Sequence, residues 1–139
     1  MTSLRVSLLL LVLLTASYAS ARKLSGNTEE AMVDEPVVSV VSALPNGTQA
    51  MQIRCKRDGS AAAVIDQALS VGRGCSWAAT EKALYRCEAV WTRMFAAWHA
   101  FQPRRDAGRG RVLWLVKEEG FFLGVNKTGW VRKAVWETE

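Results

Sequence analysis

The stretch VLWLVKEEGFFLG, Val112 to Gly124, sets the architecture of this chain. Apolar and polar residues alternate up to a turn at Glu119-Gly120, and Phe121-Phe122-Leu123 then resume the apolar run. β-Branched and aromatic residues on both sides of a charged, glycine-containing turn predict a β-hairpin.

The same kind of signal recurs in both directions. Downstream, Trp130–Trp136 is strand-like after a turn at Lys127–Gly129. Upstream, Gln102–Arg111 reads as a long basic loop with Pro103, Gly108 and Gly110, and Met94–Phe101 as an aromatic-rich strand anchored by Trp98 and Phe101. Ala83–Trp91 is strand-like, with Leu84, Cys87 and Trp91 as core candidates. Met51, Ile53 and Cys55 alternate with Gln52, Arg54 and Lys56, which turns one face inward and the other to water. The valines 37, 38, 40 and 41 form an extended run closed by Leu44-Pro45-Asn46-Gly47, a strong turn. Residues 60–72 are ambiguous, because their alanines also permit a helical turn. Short strands separated by regular turns predict an all-β fold, a small antiparallel β-sandwich of about six to eight strands. The expected domain spans residues 36–137 and contains no internal repeat.

In the chain of 139 residues, Met1–Leu4 is followed by Arg5, an apolar run Val6–Leu14 and the triplet Ala19-Ser20-Ala21. That order predicts a secretory signal peptide over residues 1–21, too short in its apolar part for a membrane span. Residues 22–35 are polar and acidic and read as a flexible tail. The expected product is secreted and extracellular, with no integral membrane span. Of 18 basic residues only Arg5 falls in the leader, which leaves 17 against 13 acidic ones, a net charge of about +4. The densest basic part is Arg104, Arg105, Arg109 and Arg111, a candidate partner-binding loop that would steer toward acidic surfaces. No basic-aromatic nucleic-acid module accompanies it, so no nucleic-acid partner is expected.

Three cysteines, Cys55, Cys75 and Cys87, are disulfide candidates in an oxidising compartment, and their odd number leaves one single. Asn46-Gly47-Thr48 and Asn126-Lys127-Thr128 are sequons in predicted turns, so Asn46 and Asn126 are candidate glycosylation sites. Catalytic signals are missing. His99 is the single histidine, which excludes paired-histidine acid–base chemistry, and no zinc, P-loop or nucleophile-elbow motif occurs. Glu118 and Glu119 are neighbours in a turn and do not flank a bond from opposite sides. No catalytic residue, metal ligand or cofactor is expected; the chain reads as a non-enzyme.

Leu113–Leu123 resembles, nearly letter for letter, the WLVKEDGFY hairpin of the plant self-incompatibility protein homologues. Weaker likenesses follow in the right order. Val38–Asn46 is similar to their VxVxNxLPN opening, with Ser42 at the usual Asn, and Met51–Lys56 to their LTVHCKS strand. Val71-Gly72 and Trp77 look like their VG…W element, Leu84–Cys87 like LFFC, and Trp91 like the tryptophan after it. The resemblance implies an extended segment over residues 60–72 and a β-sandwich. It also implies a secreted ligand for a cell-surface receptor, acting as a monomer in pollen–pistil recognition or related signalling. Val112 stands where the family commonly has a Cys, so its pairing pattern would be lost or rewired, with Cys75 a candidate partner for Cys55 or Cys87. The rival reading is a carbohydrate- or membrane-binding defence protein using its six tryptophans, although most of them fall at inward strand positions.

Overall fold

The computed structural model describes residues 35–125 and 129–138. The predicted leader, most of the predicted tail and Asn126 lie outside the described residues. Ten strands occur among those described: β1 (Val37–Ser42), β2 (Met51–Arg57), β3 (Ala63–Leu69), β4 (Gly74–Ala78), β5 (Tyr85–Trp91), β6 (Met94–Phe101), β7 (Arg111–Lys117), β8 (Gly120–Gly124), β9 (Trp130–Ala134) and β10 (Glu137–Thr138). They form two five-stranded sheets, ordered β4-β1-β7-β8-β9 and β10-β6-β5-β2-β3, packed as a sandwich. The all-β sandwich read from the sequence holds, with ten strands among the described residues where about six to eight were expected. Every pairing is antiparallel except β1 with β7, where Val38 lies beside Val112 and Val40 beside Trp114. A parallel pair needs a long crossover, and here the whole segment from β2 to β6 supplies it.

Period-two alternation explains which residues meet between the sheets. Val38 and Val40, Val112, Trp114 and Val116, and Phe121 and Leu123 point inward from one sheet. Met51, Ile53 and Cys55, Tyr85, Cys87 and Trp91, and Trp98 answer from the other. Aromatic rings bridge the layers. Trp98 meets Phe121 at 4.4 Å and Trp114 edge-on at 6.1 Å, and Phe121 meets Trp136 at 4.7 Å. Trp114 also donates its indole N–H to the Ala100 carbonyl at 2.8 Å, whereas the buried indole N–H groups of Trp77, Trp91 and Trp98 have no hydrogen-bond partner among the described residues.

One open local reading is resolved and two shift. The ambiguous segment forms β3, not a helical turn, because Ile65 and Leu69 add to the core beside β2. Leu84 is not a core residue: Cys87 and Trp91 fix the odd-numbered face of β5 as the inner one, so Tyr85 takes the core position. The hairpin turn is Glu118-Glu119, since Lys117 pairs with Gly120. Gly120 has φ +142°, and a Cβ there would stand 2.5 Å from the Ala134 carbonyl oxygen, so only glycine fits.

Candidate functional site

The basic segment between β6 and β7 is the natural place to look for a site, and it divides in two. Its first half is a helical turn, α1 (Pro103–Asp106), where the sequence predicted only loop. Pro103 at the first helical position is preset for that conformation. Asp106 closes the turn by accepting the Gln102 backbone N–H at 2.9 Å. Its carboxylate is completely buried and also receives Arg105 through Nε at 2.8 Å and Nη2 at 2.7 Å. Arg105 reaches the His99 carbonyl at 3.0 Å as well, and its guanidinium lies over the Trp114 ring at 5.1 Å. A bidentate, partly buried arginine has little left to offer a partner. Arg105 is therefore a positioning residue of the fold. Sequence reasoning grouped it with the other arginines and missed Asp106.

The second half faces outward. Arg109 donates from Nη1 to the Gly124 carbonyl at 3.2 Å and Arg111 is exposed at the start of β7. Arg104 is exposed on α1. Ion pairs among the described residues are Arg54–Asp66 and Arg105–Asp106, so Arg104, Arg109 and Arg111 have no carboxylate partner there. Arg109 and Arg111 line an open groove of about 530 Å³ together with Leu113, Gly124, Val125 and Trp130. Strand register explains the gathering: Phe121 and Leu123 face inward, so Gly124 faces out, and Trp130 is its cross-strand partner.

Other features are structural. Cys55 and Cys87 stand directly opposite in the β2–β5 pairing and form a disulfide. Cys75, on the other sheet, is free and buried, so its candidate pairing with Cys55 or Cys87 does not form. Burial pushes the Cys75 thiol above its ordinary 9.0, opposed by a hydrogen bond with the Val40 backbone. His99 points outward and its Nδ1 meets the Gln102 side-chain amide at 3.1 Å, with no carboxylate in the arrangement. It borders a cavity of about 330 Å³ whose arginine, Arg105, is already neutralised. Among the described residues no group of three or more His, Cys, Asp or Glu could hold a metal ion. Among them, too, no helix is long and apolar enough to cross a membrane. Asn46 is exposed in the β1–β2 turn, where the Thr48 hydroxyl donates to the Pro45 carbonyl at 2.6 Å.

One solved structure matches this arrangement: that of SPH (Self-Incompatibility Protein Homologue) proteins, described as a widespread family of small, highly stable, secreted proteins from plants. It aligns with a TM-score of 0.61 over 76% of this chain and 97% of its own, at 13% sequence identity. The fold is that of the SPH proteins. This agrees with the likeness read from the hairpin. No family model matches the chain, and no curated protein matches it by sequence. Within the SPH fold, the groove bounded by Arg109, Arg111 and Trp130 combines exposed apolar surface with two arginines that have no carboxylate partner among the described residues.

Proposed function

We propose that this protein is a secreted plant recognition protein of the SPH kind, a non-enzymatic ligand for a cell-surface receptor in pollen–pistil recognition or related signalling. The observation that carries this reading is the outward end of the basic segment, where Arg109 and Arg111 flank exposed Leu113 and Trp130 on a two-sheet scaffold. Unpaired cations around an apolar centre give both long-range steering and short-range contact area. The scaffold holds them in place before binding, which lowers the ordering cost of association.

The rest of the assignment follows from the sequence. Residues 1–21 serve as a cleaved leader, residues 22–35 as a tail, and residues 36–137 as the recognition domain, which acts as a monomer. Asn46 and Asn126 carry glycans. The Asn46 turn follows the end of β1, next to the Glu118-Glu119 turn, whereas the groove lies where β1 and β7 begin. A glycan on Asn46 therefore leaves the groove uncovered.

The test is binding of labelled protein to intact plant cells, pollen included, at physiological salt. Saturable binding that unlabelled protein displaces is the expected result. Binding that never saturates, or that disappears on a modest rise in salt, is charge-driven adhesion and overturns the ligand reading.

A further inference from the structure

Five of the six tryptophans pack against or within the core, and the sixth, Trp130, is 44% exposed. Its six-membered ring rests on Gly124: a Cβ on that glycine would stand 3.4 Å from Cζ3 and 3.7 Å from Cη2. The missing side chain at Gly124 gives the indole a seat on the outer sheet face and leaves it half open to solvent. Beside it, Arg109 spends one donor on the Gly124 carbonyl and Arg111 spends none on any carboxylate among the described residues. A guanidinium has five N–H donors in a planar fork that matches a carboxylate. The groove lining holds no acidic residue.

We propose that this groove binds an acidic oligosaccharide, a chain bearing uronic-acid carboxylates. This rests on the reading of this end of the molecule as the recognition surface, and names the chemistry recognised there. Trp130 stacks against the C–H face of one sugar ring, while Arg109 and Arg111 grip carboxylates on either side. Two competing occupants fit less well. A lipid surface is met by an extended apolar face that projects into it, whereas this site is concave and holds one aromatic ring. A peptide strand adds along a sheet edge, here β9, whereas this groove runs from Trp130 on β9 across Gly124 of β8 to Arg111 and Leu113 of β7, over the face rather than along the edge. An acidic sugar chain supplies the stacking surface and the negative charge together.

The experiment is titration calorimetry on protein produced from its full coding sequence. The probes are a uronic-acid hexamer, the same hexamer with its carboxyls reduced to alcohols, polyglutamate, and vesicles of mixed neutral and anionic phospholipid. Saturable binding of the uronate is expected, with the reduced hexamer about tenfold weaker or worse. Trp130→Ala and the pair Arg109→Gln with Arg111→Gln should each weaken uronate binding about tenfold while the melting temperature holds. No uronate binding, equal binding of polyglutamate or vesicles, or an unaffected Trp130→Ala protein overturns the proposal. Competition on cells separates the two readings. Saturable cell binding that excess uronate hexamer leaves untouched removes the sugar and keeps the receptor ligand. Absence of cell binding removes the ligand reading, and the calorimetry still decides the groove.

Discussion

The two outer faces of the sandwich are written with the same alternation and end up different in character. On the sheet containing β2 and β5, outward residues mix charge with apolar surface: Arg54 lies across from Glu88 and 3.8 Å from Asp66, Lys56 lies across from Arg86, and exposed Val90 pairs with exposed Phe95. Exposed ion pairs such as Arg54–Asp66 contribute at most about 1 kcal/mol each. On the sheet containing β7, β8 and β9, outward positions include Leu113, Leu115, Phe122 and Trp130, bordered by Arg109 and Arg111, which have no acidic partner among the described residues. The covalent staple Cys55–Cys87 belongs to the sheet of β2 and β5, while the other sheet keeps a free thiol. The difference teaches that alternation assigns residues to inside or outside, and that the work done outside depends on what the cross-strand partners leave unpaired.

That contrast can be strained at its seam. Asp106 closes the turn joining the two sheets, and Asp106→Ala strands Arg105 beside Trp114 with two of its acceptors gone. Urea unfolding should show a loss of roughly 3–5 kcal/mol, because one partner of a buried pair is left behind. Next in size is the staple. Replacing Cys55 and Cys87 together by Ala should cost about 2–4 kcal/mol, in the same assay, with the groove's ligand binding retained. A smaller, favourable change is expected at the β5–β6 turn, where Thr92 is held at φ +57°. A β-branched residue is strained there, and Thr92→Asn should raise stability by about 1 kcal/mol in thermal unfolding.

The smallest effect concerns pH. Cys75 is a group whose thiol is pushed upward in the folded protein, so below 9.0 both folded and unfolded chains keep it protonated and it costs nothing. Above that value the unfolded chain ionises first and stability falls as pH rises toward the folded value. A Cys75→Ala protein should therefore lose less stability than the parent between neutral pH and pH 10, and thiol reagents should label the parent only on unfolding.

The fold was legible because it rests on short-range pattern. Met51-Ile53-Cys55 on β2 and the Val112–Leu123 hairpin mark their inner faces with period two, and both stand as read. Leu84 was misplaced because its hydrophobicity competed with parity, and parity won once Cys87 and Trp91 faced inward. The site was less legible. Asp106 sits between Arg105 and Ala107 in a segment punctuated by Pro103, Gly108 and Gly110, which reads as solvent loop. A proline followed by an acidic residue in the first turn was the one available sign of a helical start. Trp130 faces out through the β8–β9 register, which depends on long-range pairing and leaves no trace in the local sequence.

Charge reversal on the two faces tests the central claim most directly. Arg109→Glu with Arg111→Glu, and separately Arg54→Glu with Arg86→Glu on the opposite sheet, make the same change in net charge. Saturable binding to intact cells should be lost with the first pair and retained with the second. Equal loss with both pairs would reduce recognition to bulk charge and contradict the account.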